Sequence, residues 1–114
     1  MTNVQILKNN SNIIGFVISG HSGYAEEGSD IVCSAISTLS QSICVGLENV
    51  LNLNPIIEIN QKKAYLKCCL QKKDYNNKSA SILLNTFEQS LNLLLIGNKN
   101  YKKYINLEVK NEIY

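Results

Sequence analysis

The sequence predicts an α+β fold, with two helices packed on one face of a mainly antiparallel, mixed sheet of about five strands, in the order ββαββαβ. Three observations predict it. Two stretches, 32–50 and 80–95, carry apolar residues at three- and four-residue steps. Short apolar or alternating runs lie before, between and after them, bounded by polar turn clusters. No linker, repeat or low-complexity segment divides the 114 residues, so residues 1–114 form one domain. Each helix has one apolar stripe to bury, and one sheet face can receive both.

Val4 to Lys8 reads as the first strand. The polar cluster Asn9-Asn10-Ser11-Asn12 then turns the chain into the apolar run Ile13 to Ile18, giving a hairpin. Gly15 inside that run marks a bulge or a close backbone approach. Val32, Ile36, Leu39, Ile43, Leu47 and Val50 form the stripe of the first helix, which stops before Pro55. Ile56 to Asn60 and Ala64 to Gln71 are two strands joined through Gln61-Lys62-Lys63, a second hairpin. A polar loop, Lys72 to Lys78, leads into a helix from about Ser79 to Ile96, with Gly97 placed to cap it. Tyr104 to Val109 alternates as a last, half-buried strand.

Composition narrows the function classes. All 11 basic residues are lysines and the net charge is only +2, which argues against direct nucleic-acid binding and removes bidentate arginine contacts. No apolar run approaches the roughly 20 residues needed to span a bilayer, and the first residues lack the pattern of an export signal. A cytoplasmic protein with no membrane contact is the expectation. Of the four cysteines, Cys68 and Cys69 are adjacent in a strand and point to opposite faces, so all four read as free thiols. No C-x-x-C pair and no phosphate-cradling glycine loop is present, and no cofactor or metal is expected.

The chemistry concentrates between residues 20 and 37. Gly20-His21-Ser22-Gly23 ends the second strand and holds the sole histidine, and Cys33 sits in the opening turns of the first helix. Cysteine reacts as the thiolate, and a free thiol with a pKa of about 8.5 is mostly protonated at neutral pH. Two devices oppose that here. Ser29 or Asp30 can cap the helix, which puts Cys33 among unpaired backbone N–H groups that favour negative charge. His21 can accept a proton near pH 7. Cys33 lies about 100° off the buried stripe, flanking the core, with Ser37, Ser40 and Cys44 along its own row. Cys44 lies three turns further on and reads as a small boundary residue.

Plainer readings stand beside these. A lone histidine at a strand end is commonly a surface residue, and a lone helical cysteine a small hydrophobe. Asp30 either caps the helix or orients His21, and Glu26 and Glu27 read as solvated. A non-catalytic binding module, suggested by lysine pairs such as Lys62-Lys63 and Lys72-Lys73, and a thiol redox sensor at Cys33 are the competing classes. The second is weakened because no resolving cysteine is adjacent in sequence.

The string Gly20-His21-Ser22, then Gly28-Ser29-Asp30-Ile31-Val32-Cys33-Ser34-Ala35-Ile36-Ser37, resembles the ribosomal-processing cysteine protease family Prp, also called YsxB-like. The family pattern is Gly-His-Ala/Ser followed at fixed distance by Asp-Ile-Val-Cys-Ala/Ser-Ala/Gly-x-Ser, and the spacing matches without a gap. The resemblance implies that Cys33 is the nucleophile and His21 the proton acceptor and donor. It further implies a homodimer that removes the N-terminal extension of large-subunit ribosomal protein twenty-seven, cutting after an aromatic pair and before a small residue, during ribosome assembly. Its His-to-Cys loop would order over the substrate, making Gly20, Ser22, Gly23, Gly28, Ser34 and Ser37 candidates for substrate contact. Ser22 and Ser34 stand where alanine is frequent, and residues 24–27 are not closely patterned.

Overall fold

The computed structural model describes residues 2–20, 29–97 and 105–111, with residues 29–31 described through their backbone only. Five strands make one sheet: β1 (Thr2–Asn9), β2 (Asn12–Ser19), β3 (Ile56–Asn60), β4 (Tyr65–Cys69) and β5 (Ile105–Asn111). Two helices, α1 (Ser29–Val45) and α2 (Lys78–Gly97), complete the predicted order. The spatial order is β3-β4-β2-β1-β5, in which β5 runs parallel to β1 and every other pair is antiparallel. The sheet is therefore mixed, as expected.

Period-two alternation puts one set of side chains under the helices. Val4 pairs with Ile18 and Leu107, Ile6 with Phe16, and Phe16 with Cys68, so these residues share a face. With Val32, Ile36, Ile43 and Leu47 of the first helical segment and Ala80, Leu84, Phe87 and Leu91 of α2, they form the main core. The rings of Phe16 and Phe87 meet at its centre, 4.5 Å apart and tilted by 35°. Leu7, Ile14 and Cys69 form a smaller buried cluster with Val17 and Tyr75. Cys68 and Cys69 thus part into different clusters, as their adjacency in a strand requires.

Gly15 fulfils both expectations placed on it. The β1–β2 register shifts beside it, between Leu7 and Lys8, and a Cβ at Gly15 would lie 2.2 Å from the Cys68 carbonyl oxygen. Only a residue without a side chain lets β2 and β4 close here.

Several boundaries differ from the sequence expectation. The first helix continues as a π-helical turn over Gly46–Val50, where Leu51 N–H donates to Gly46 C=O at 2.9 Å. Inserting the wider i→i+5 turn rotates the stripe out of phase. Val50, expected on the buried stripe, is consequently 70% exposed. The loop after β4 holds a short 3-10 turn at Lys72–Asp74. Asn77 Oδ1 accepts from Ala80 N–H at 2.9 Å, capping α2, which begins at Lys78, one residue before the expected start. Gly97 is the last residue of α2 rather than a cap beyond it. Tyr104, expected to open the last strand, lies outside the described residues.

Candidate active site

Cys33 lies on α1 between a buried flank and an open one. Val32 and Ile36 anchor the helix in the core at 0% and 1% exposure, which turns the Cys33 row towards the edge of the sheet. That row, Cys33, Ser37, Gln41, Cys44 and Glu48, steps by four, four, three and four residues and forms one wall of a groove of about 660 Å³. The opposite wall is the β3–β4 hairpin, through Ile57, Ile59, Asn60, Tyr65 and Leu66. Thr2, Ile18 and Gly20 also line it. Fifteen residues of helix span about 22 Å, room for six or seven residues of extended chain.

The Cys33 thiol is half-buried and free, and its Sγ lies 3.4 Å from Thr2 Oγ1. Thr2 is 4% exposed, so its hydroxyl is shielded from competing water and fixes the sulfur at the end of the groove. Along the same row Gln41 Nε2 donates to Ser37 Oγ at 3.1 Å, and Ser40 Oγ donates to Ser37 C=O at 3.0 Å. These bonds tie the polar side chains of the wall to one another. Gly20 takes φ 77°, a left-handed conformation that favours glycine, where β2 leaves the sheet at the mouth of the groove.

At the far end of the wall Cys44 packs against the core cluster that includes Cys68. The Cys68 thiol donates a hydrogen bond to Cys44, which draws Cys44 below the ordinary thiol value against the opposing effects of burial and the Glu48 carboxylate. The same bond, with burial, pushes Cys68 up. Cys44 lines the groove, while Cys68 is wholly buried beneath it. Cys44, half-buried against the core, is the boundary residue its position in the sequence suggested.

Of the residues singled out from sequence, Gly20, Cys33 and Ser37 come together on the groove. Ser34 is exposed and does not line it. Asp30 lies within the first turn of α1, since the helix already includes Ser29. His21, Ser22, Gly23 and Gly28 lie outside the described residues. Thr2 and the hairpin wall were not singled out, because no local pattern marks a residue whose role depends on a partner 31 positions away. Among the described residues no three His, Cys, Asp or Glu side chains cluster as metal ligands, and no helix is long and apolar enough to cross a membrane.

A half-buried thiol near the head of a helix, opening on a groove sized for several residues of extended chain, defines a site of the thiol-peptidase class. The family comparison agrees and narrows it. The model described as cysteine protease Prp matches residues 1–106, and the chain belongs to that family of cysteine proteases. Among solved structures it is similar to SMU.848 from Streptococcus mutans, at 21% identity and a TM-score of 0.85, covering 98% of this chain and 96% of that one. It is also similar to the essential ribosomal processing protease Prp from S. aureus in complex with a substrate peptide, at 22% identity and a TM-score of 0.83. The same S. aureus protein with a covalently linked product peptide gives 23% and 0.80. Each of those two alignments covers 96% of this chain and 100% of the other. At these identities the likeness establishes the fold. No curated protein matches the chain by sequence.

Proposed function

We propose that this protease acts in ribosome assembly, removing the N-terminal extension of large-subunit ribosomal protein twenty-seven with Cys33 as nucleophile and His21 as general base and acid. The observation that carries the reading is the half-buried Cys33 thiol in the wall of a peptide-sized groove. Gly20 lines that groove, and His21 is the next residue in the chain. The S. aureus structures, whose protein is described as a ribosomal processing protease, suggest the substrate class.

In this mechanism the Cys33 thiolate attacks the scissile carbonyl carbon, and backbone N–H groups at the head of α1 receive the developing oxyanion. The His21 imidazolium then protonates the leaving amine, and the C–N bond breaks to leave a thioester on Cys33. Water, deprotonated by His21, releases the product acid and restores the thiol. The apolar hairpin side chains Ile57 and Ile59 suit the aromatic residues before the cut. Asp30, in the first turn of α1, either favours the helix head by its charge or orients His21. Ser22, Gly23 and Gly28 contact the peptide as their loop orders over it. The protein works in the cytoplasm as a homodimer.

Incubation with the extended ribosomal-protein peptide, followed by mass measurement of the products, tests the assignment. Cleavage after the aromatic pair, abolished in Cys33→Ala and in His21→Ala, is the expected result. Wild-type-like cleavage by Cys33→Ala overturns it. Retention of uncut peptide by a wild-type protein whose Cys33 does not alkylate would instead identify a binding module.

A further inference from the structure

The groove is lined by apolar and neutral side chains with one exception. Among the described residues along it, Glu48 alone carries a charge. The other charges of β3 and β4 are turned away. Glu58 and Lys67 stand opposite each other across the two strands, one step out of phase with Ile57, Ile59 and Leu66, so alternation sends both to the other face of the sheet. Lys62 and Lys63 are exposed in the hairpin turn and do not line the groove. The Glu48 carboxylate thus meets no counter-charge among the described lining residues, and apolar neighbours such as Val45 and Ile57 screen its field less than water would. We propose that Glu48 is a specificity-determining residue, selecting peptides that carry a positive charge six or seven residues before the cut.

The spacing follows from the strand register and the helix. Thr2, whose hydroxyl meets Cys33, is next to the Asn3–Ser19 pair, and Ile18 pairs with Leu66, which pairs in turn with Ile59. Ile57 lies two residues further from that end of the sheet, opposite Cys68. Glu48 lies fifteen residues beyond Cys33, where α1 continues directly into the Gly46–Val50 turn, and so about 22 Å from it along the axis. An extended peptide rises about 3.3 Å per residue. With its scissile carbonyl at Cys33 and its aromatic residues over Ile59 and Ile57, it brings the sixth or seventh residue before the cut to Glu48. That direction rests on the proposed cleavage reaction; the negative charge of the groove does not. The group recognised is an ammonium or guanidinium, supplied by a lysine or arginine side chain or by the amino terminus of a peptide that begins there. Glu48 is exposed, so the attraction is modest, and the same carboxylate repels an acidic residue in that place.

The test uses the full-length protein and N-acetylated synthetic peptides with the aromatic pair before the cut, identical except for lysine, glutamine or glutamate at the sixth and seventh positions before it. Wild-type kcat/KM should fall in the order lysine, glutamine, glutamate, with a span of roughly five-fold that is carried by KM and shrinks in about 0.5 M sodium chloride. Glu48→Gln should bring the three peptides within about two-fold of one another, and Glu48→Lys should reverse their order, with circular dichroism confirming each fold. A glutamine peptide that begins at the seventh position, compared with and without its acetyl group, separates the amino terminus from the side chain as the source of charge. Preference for either cation supports the proposal. Equal rates for all these peptides in the wild type, or an order that Glu48→Lys leaves unchanged, overturns it. Cys33→Ala protein, titrated with the same peptides carrying a fluorophore, reads the ranking without cleavage. That ranking in binding, with no cleavage by the wild type, counts against the protease reading and supports the charge selection; cleavage indifferent to Glu48 does the reverse. Peptides neither bound nor cut overturn both.

Discussion

The two walls of the groove are built differently. The α1 wall stands on the core, with Val32, Ile36, Ile43 and Leu47 all buried behind the Cys33 row. The β3–β4 wall is the edge of the sheet, where Ile59 is 67% exposed. The difference separates two tasks. A reacting sulfur must be held in position to a fraction of an ångström, which close packing provides. A surface that receives different peptide side chains needs exposed apolar area and little stability of its own. Substitutions on the first wall should therefore act on rate and stability, and on the second mainly on peptide affinity.

The largest effect should come from Cys33→Ala, with kcat falling about a thousand-fold or more and thermal unfolding unchanged. Residual cleavage within ten-fold of wild type in a peptide assay would remove the division between the walls. Next, Gly15→Ala forces a methyl group into the Cys68 carbonyl at the root of the hairpin, and about 3 kcal/mol of stability should be lost in urea unfolding. Ile36→Ala, behind the reactive row, should cost about 2–4 kcal/mol in the same measurement. Thr2→Val removes the hydroxyl that holds the sulfur. A loss of about 1 kcal/mol, roughly five-fold in the single-turnover acylation rate, should follow with little change in peptide affinity. The smallest effect on stability belongs to Ile59→Asn, within about 0.5 kcal/mol of wild type, while KM for an aromatic peptide rises. An Ile59 variant that altered kcat alone would place the chemistry on both walls.

Much of the α1 wall was legible in the sequence. Val32, Ile36, Ile43 and Leu47 keep the helical period, and Cys33 follows as the residue beside it. The opposite facing of Cys68 and Cys69 follows from strand alternation in the same way. What escaped notice depends on contacts remote in sequence or on a broken period. Val50 failed because the π-turn at Gly46–Val50 changes the count of residues per turn. Thr2 carries no local signal, and it matters only because β1 begins beside the head of α1. The effect of Cys68 on the Cys44 thiol links a helix to a strand residue 24 positions later, and neither residue stands out in its own element. His21 was singled out by its chemistry and its place after Gly20, and the groove at Gly20 is the described feature nearest to it in the chain.

The pairing of Thr2 with Ile105 has a temporal side. During translation β1 is made before β5, and its outer flank stays bare until Ile105–Asn111 has been synthesised. The residue touching the reactive sulfur thus acquires that neighbour only after about a hundred further residues. A nascent chain still lacking β5 would carry the nucleophile without its settled surroundings, so its proteolytic competence should wait on that strand.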